Sequence, residues 1–201
     1  IENIYKILSD MGFEKGNILE PSMGTGNFIG NLPDKMSKSK FYGVELDSVS
    51  GRIAKQLYPK SKIQIKGFED TSFSNNFFDL AIGNVPFGDF KVNDKEYNRD
   101  NFLIHDYFFV KTIDKVRNDG IIAFITSSGT MDKKDESVRK YINARAEFLG
   151  AIRLPNNSFK GVAGTEVTSD IIFLKKRNSV INRDSDWIHL DTDKKGLTYN
   201  K

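Results

Sequence analysis

The chain has 201 residues, enough for one well-buried domain, and its 38% hydrophobic and 28% charged residues fit a soluble globular protein. It has no cysteine, so a disulfide framework and a thiolate zinc site are excluded; no membrane-length apolar run or signal peptide is visible, and a reducing cytoplasm is the expected setting. A net charge of +3 is too small for a protein that holds nucleic acid mainly through a large phosphate-binding surface of its own.

Ile1, Ile4, Tyr5, Leu8 and Met11 recur at helical spacing, closed by Gly12 and Gly16. Residues 17–20 read as a first strand, followed by a Gly-rich turn into a helix running towards Pro33. A second strand ends at Glu45, and Asp47 is placed to cap a helix that reaches Leu57 and stops before Pro59. Ile63-Gln64-Ile65 is a third strand, and residues 78–83 form a fourth. Phe90 to Asn101 is polar and aperiodic, whereas Phe102 to Val116 carries apolar residues at helical spacing, terminated by Asn118-Asp119-Gly120. A fifth strand covers residues 121–126 and a charged helix residues 135–148. The last strands, 149–154 and 167–174, are joined through the Gly161-to-Gly164 loop. This alternation predicts an α/β fold, a Rossmann-like doubly wound and mostly parallel sheet with an antiparallel pair at one edge. The chain starts at Ile1 rather than Met and reads as a segment of a longer polypeptide.

Two motifs carry chemistry. The first is Glu20-Pro21-Ser22-Met23-Gly24-Thr25-Gly26-Asn27-Phe28, where a strand meets the Gly-rich turn. Gly24 and Gly26 permit a tight turn and close approach of backbone to a ligand. Glu45 follows Gly26 by 19 positions, close to the ~20-residue offset of a strand-end carboxylate that binds ribose hydroxyls. In the dinucleotide fingerprint a third glycine comes three residues after the second; here Gly30 is one place late, and Glu20 would repel a pyrophosphate. An adenosine-containing cofactor with positive charge, such as S-adenosyl-L-methionine, is the better fit, and a nicotinamide dinucleotide the weaker one.

The second motif is Asn84-Val85-Pro86-Phe87, at the carboxyl end of the fourth strand. The Asn84 side-chain oxygen and the Val85 carbonyl can both accept hydrogen bonds from a planar amino group, while Phe87 stacks on the ring bearing it. Two acceptors localise the nitrogen lone pair for attack on a methyl donor. An ordinary Asn-Pro turn is the plainer reading of the same residues.

These motifs, with Gly43-Val44-Glu45-Leu46-Asp47, Gly120 to Thr126 and Leu154-Pro155-Asn156-Asn157-Ser158-Phe159, resemble in order those of the amino-group DNA methyltransferases. The chain is most similar to the methylase segments of plasmid and phage helicase–methylase proteins. The resemblance implies S-adenosylmethionine-dependent methylation of adenine at its 6-amino group in DNA, with the base extruded, and seven strands with the last reversed. It implies catalytic roles for Asn84, Val85, Pro86 and Phe87, and no need for a metal. Cofactor contacts fall on Glu20, Pro21, Met23, Gly24, Gly26, Asn27, Phe28, Glu45, Leu46, Phe68 and Glu69. Phe28 has core filling as its alternative role, Leu46 core burial, and Glu69 a solvated loop. Phe159 stands where the resembled enzymes can place a second aromatic against the base, but a hydrophobic loop anchor is its expected role. Residues 1–177 would form the methyltransferase domain and 178–201 a linker or the start of another unit. DNA and further domains of one polypeptide, for target recognition and helicase action, are the implied partners.

The chain departs from the pattern where Met23 and Thr25 replace the frequent Cys and Ser, and where Val85 replaces a Pro. Val supplies the same carbonyl but lacks the fixed φ of Pro. A protein-glutamine or RNA methyltransferase, or a non-catalytic DNA-engagement module of a helicase, are the rival readings. His105-Asp106 sits in a helix where neighbours diverge by about 100°, so a surface or capping role is expected. His189 has no evident partner. Lys133-Lys134 and Lys175-Lys176-Arg177 read as solvated faces, with phosphate contact the alternative.

Overall fold

The computed structural model describes residues 1–97, 102–156, 158, 168–194, 196 and 198–200. α1 (Glu2–Asp10) turns Ile4, Tyr5 and Leu8 into one core with Ile18 of β1 (Asn17–Glu20). A short α2 (Asn27–Gly30) leads to β2 (Lys40–Glu45), α3 (Ser48–Leu57), β3 (Lys62–Ile65) and β4 (Phe78–Asn84). α4 (Ile104–Lys115) then precedes β5 (Val116–Ser127), α5 (Gly129–Asp132), α6 (Ser137–Arg145), β6 (Ala146–Leu154) and β7 (Ser169–Lys176). Asp47 caps α3 as its sequence suggests, its carboxylate accepting from the Ser50 amide at 2.8 Å.

Among the described residues these strands form one seven-stranded sheet, ordered β3-β2-β1-β4-β5-β7-β6. The first five are parallel, and β7 runs antiparallel to both neighbours, so the antiparallel pair closes one edge with the reversed strand one place in. Apolar side chains pack on both faces. One core gathers α4 and α6, with Phe109 edge-on to Phe124 of β5; the other gathers α1 and Phe28 of α2. The order of winding reverses between β1 and β4, the place where an open α/β sheet leaves a crevice outside its carboxyl ends. Glu20 ends β1 and Asn84 ends β4, so the two motifs flank that reversal.

Several boundaries differ from the sequence reading. α2 stops at Gly30 because the amides of Asn31 and Leu32 bond three residues back, tightening the chain before Pro33. α4 ends at Lys115 because Val116 pairs with Phe78, and the sheet captures residues expected to continue the helix. α6 likewise yields at Ala146, which pairs with Lys176. Past residue 177 the chain returns over α6: Trp187 stacks on Phe148 at 4.7 Å, and the Arg139 Nε donates to the Ile188 carbonyl at 2.6 Å. β8 (Leu190–Thr192) and β9 (Thr198–Asn200) form a separate antiparallel pair there. No described helix is long and apolar enough to cross a membrane.

Candidate active site

The turn after β1 is built by its two glycines. Gly24 and Gly26 have φ of 55° and 96°, left-handed values that a side chain opposes. A Cβ on Gly26 would stand 2.4 Å from the Tyr58 ring, so this glycine also admits Tyr58, as does Gly30. A Cβ on Gly24 would meet nothing within 4 Å. Glu45 clamps the same turn: one carboxylate oxygen accepts from the Gly24 amide and the other from the Asp47 amide, both at 2.7 Å. Each oxygen keeps a further lone pair for a ligand.

Beside this turn lies a cavity of about 450 Å³, within the range of small-molecule sites. Its walls are Pro21 and Ser22, Glu45 and Leu46, residues 66–69, Pro86, and residues 90–93 with Ile104 and Phe108. Leu46 is 73% exposed on the rim rather than packed in the core. The Phe68 ring is mostly buried against Phe108 at 5.1 Å and Tyr107 at 6.2 Å, with part of the residue reaching the cavity. Of the expected cofactor residues, the cavity thus gathers Pro21, Glu45, Leu46, Phe68 and Glu69.

Others stand back from it. The Met23 side chain packs with Ala54, Ile63 and Tyr58 while its amide donates to Val44 at 2.9 Å, so it props the turn from beneath. Phe28 lies in the core, edge-on to Tyr5 at 6.5 Å. Asn27 is exposed, and its carbonyl accepts from the Asn31 side chain. Phe159 falls outside the described residues.

Glu20 is the electrostatic oddity. It is 1% exposed, and its Oε2 has no hydrogen-bond partner among the described residues. Burial, and then the nearby Glu45 carboxylate, push its pKa well above the ordinary range. A buried carboxyl group left unsatisfied in this way is suited to a cation arriving with a ligand.

Asn84 is exposed at the end of β4, and its carbonyl accepts from the Ser22 hydroxyl at 2.7 Å. That bond ties the Asn84-Val85-Pro86-Phe87 motif directly to the glycine turn. Val85 is buried and donates its amide to the Ile125 carbonyl at 3.0 Å, so tertiary contact supplies the rigidity that Pro would have given. Pro86 reaches the cavity and Phe87 is half-buried beside it in sequence.

Both histidine expectations need correction. His105 is only 5% exposed and Asp106 is buried, because α4 is enclosed nearly all round. Burial holds the His105 pKa below its ordinary value, and the 3.5 Å separation of its Nε2 from Asp106 is too long for a useful hydrogen bond to a neutral ring. Neither ring nitrogen has a hydrogen-bond partner among the described residues. His189 has two partners, Glu136 at 3.0 Å and Asp184 at 2.7 Å, brought to it by the returning chain. Of the lysine and arginine clusters, Lys133 meets Asp106, Lys175 meets Asp119, and Lys176 and Arg177 donate to main-chain carbonyls.

The sequence reading passed over a buried group behind the cavity. Lys111 of α4 donates to the Phe68 carbonyl and to Asp94, both at 2.8 Å, and to the Glu69 carbonyl at 3.3 Å. The available signal was a lysine four residues after Tyr107 in a helix whose other faces are largely apolar.

Residues 2–200 match the family described as N-6 DNA Methylase. The chain is 32% identical over 197 residues to the "Defense against restriction protein B" of Escherichia phage P1, covering 95% of this chain and 8% of that protein. It is 30% identical over 119 residues to Modification methylase CviBIII of Paramecium bursaria Chlorella virus NC1A, covering 56% of this chain and 31% of that one. Among solved structures, a modification subunit assigned to a type I restriction enzyme of Vibrio vulnificus YJ016 superposes with a TM-score of 0.74, at 13% identity. That match covers 99% of this chain and 57% of the other, so the chain spans less than two thirds of each of these proteins.

Proposed function

The chain belongs to the N-6 DNA methylase family, and from that membership we propose that it transfers a methyl group from S-adenosylmethionine to the 6-amino group of adenine in DNA. The observation that carries this reading is the Ser22–Asn84 hydrogen bond, which joins the cofactor-type turn to the amino-acceptor motif at one end of the sheet. DNA is the proposed substrate, and further domains or subunits its proposed partners.

The residues present fit the cofactor. Glu45 has lone pairs to spare for ribose hydroxyls, while Leu46, Phe68 and Glu69 offer an apolar and polar edge for adenine. The unsatisfied Glu20 carboxyl suits the positive charge at the methionine end. When bound, S-adenosylmethionine supplies an electrophilic methyl group on a sulfonium.

The protein's own part is orientation. The target adenine leaves the duplex, at a cost of a few kcal/mol in unstacking. Phe87 stacks on the extruded ring and offsets part of that cost, since base–aromatic stacking contributes about 1–3 kcal/mol. Asn84 Oδ1 and the Val85 carbonyl accept the two amino hydrogens, directing the nitrogen lone pair out of the ring plane. As the new N–C bond forms, the methyl–sulfur bond breaks and its electron pair stays on sulfur, leaving S-adenosylhomocysteine; those acceptors stabilise the developing positive charge on nitrogen, and one amino proton is then lost to solvent. Positioning of this kind supplies much of the rate.

Calorimetry with S-adenosylmethionine tests the pocket, and methyl transfer from labelled cofactor to DNA, tRNA and protein tests the substrate. Binding with label in DNA adenine is expected. Cofactor binding with label in RNA or in protein glutamine would promote the rival enzyme reading, and DNA binding with no transfer would indicate a DNA-engagement module.

A further inference from the structure

We propose that Lys111 is a positioning residue for the adenine end of the cofactor, its ammonium pinning two walls of the cavity in register. The inference rests on the S-adenosylmethionine reading above. Lys111 is 2% exposed in the middle of α4. A buried ammonium is costly unless it is paired and hydrogen-bonded. Here its donors go to three acceptors from two separate stretches of chain. The Phe68 and Glu69 carbonyls belong to the turn after β3, while Asp94 belongs to the segment that follows the Asn84-Val85-Pro86-Phe87 motif. Both stretches line the cavity, the second through residues 90–93.

The surroundings reinforce the pin. Asp94 also accepts from the Tyr107 hydroxyl at 2.7 Å and from the Glu96 amide at 3.1 Å. Burial opposes its ionised form, but the bonds from Lys111 and Tyr107 outweigh that and hold its pKa below the ordinary carboxylate value. The ammonium lies 5.0 Å from the centre of the Phe68 ring, within range of a cation–π attraction. A hydrocarbon side chain would fill the same space but could not hold three oxygens.

The consequence reaches the ligand through one peptide plane. The Phe68 carbonyl and the Glu69 amide share that plane and point in opposite directions. The Phe68 carbonyl also accepts from the Thr71 hydroxyl at 2.6 Å and the Thr71 amide at 3.2 Å within its own turn; Lys111 adds the bond that ties this plane to the Asp94 stretch, and so sets the direction of an N–H on the residue that lines the cavity relative to the facing wall. Such a donor suits an unprotonated ring nitrogen of adenine and disfavours the protonated nitrogen of hypoxanthine.

The test is titration of the full chain with S-adenosylhomocysteine, adenosine and inosine, for wild type, Lys111→Met and the charge-neutral pair Lys111→Met/Asp94→Asn. Thermal melting accompanies each. Wild type that binds none of these ligands overturns the cofactor reading itself. Given wild-type binding, both variants should weaken S-adenosylhomocysteine by about tenfold or more, the effect of losing charged hydrogen bonds, and should lose the preference for adenosine over inosine. A merely structural lysine would lower the melting temperature and leave that preference intact, which overturns the inference. So does affinity within about twofold of wild type, well below the loss of a charged hydrogen bond. If Lys111→Met does not fold, the charge-neutral pair, which leaves no unpaired Asp94, decides.

Discussion

Replacing Glu20 by Gln separates stability from function at a single atom pair. The carboxyl is enclosed, lacks a partner at Oε2, and has its pKa raised by burial and by Glu45. The sign follows directly. Unfolded, Glu20 loses its proton near the ordinary carboxylate value of about 4.3; folded, it keeps the proton to a higher pH. Native protein then binds more protons, so wild-type stability falls as pH rises from about 4.3 through the folded pKa. Gln does not titrate and removes that fall. Between the unfolded and folded pKa that linkage costs wild type about 1.4 kcal/mol per pH unit, which for a domain of this size corresponds to about 3–5 °C in melting temperature per pH unit. The Gln variant should therefore melt higher than wild type at pH 8, with the two converging by about pH 4, at the unfolded pKa. Cofactor affinity should move the other way. Loss of a charge-assisted hydrogen bond to a cation is worth about 1.5–3 kcal/mol, or roughly 10- to 150-fold in Kd. Calorimetry in two buffers of different ionisation enthalpy adds a signature: wild type should release a proton on binding S-adenosylmethionine, and the variant should not. A variant that binds the cofactor as tightly as wild type, with no gain in melting temperature, would refute this reasoning.

Asn84→Ala should cut methyl transfer by about 100-fold or more, the usual loss for one preorganised polar contact, while calorimetry finds cofactor affinity nearly unchanged. Gly26→Ala places a side chain on a backbone with φ of 96° and against Tyr58; the left-handed conformation alone costs about 1–2 kcal/mol, so differential scanning calorimetry should show about 2–8 °C of destabilisation. His189 has its pKa raised by hydrogen bonds to Glu136 and Asp184. Its contribution is full below the unfolded value of about 6.5 and is lost as pH rises through the folded pKa. Melting of wild type and His189→Gln should accordingly differ most below pH 6 and converge in alkaline buffer.

The parts of the site that could be read in advance are those where a local backbone requirement dictates the residue. Gly24 and Gly26 are needed for left-handed φ, Glu45 and Asn84 terminate strands, and Asp47 has the residue type and place of a helix cap. Those are short-range constraints, and the structure has each in its expected place. What escaped was decided by tertiary contact. Whether Met23 and Phe28 face a ligand or the core depends on Tyr58 and Tyr5, which lie far off in sequence. α4 is enclosed by β5, α6 and the 68–97 segments, so the divergence of helix neighbours, from which a surface or capping role for His105 and Asp106 followed, could not reveal that both directions are covered. Lys111, whose partners Phe68 and Asp94 lie 43 and 17 residues away, was invisible for the same reason. Val116 and Ala146 were assigned to helices because their strand partners, Phe78 and Lys176, compete only once the sheet has formed.

The central claim is tested most directly by incubating the protein with S-adenosylmethionine labelled in its methyl group and with DNA, then digesting the DNA to nucleosides and identifying the labelled product. Label should appear in N6-methyladenine, be lost in Asn84→Ala and Phe87→Ala, and be kept in Phe87→Tyr. Label confined to cytosine, to RNA or to glutamine, or cofactor and DNA binding with no transfer at all, would contradict the claim.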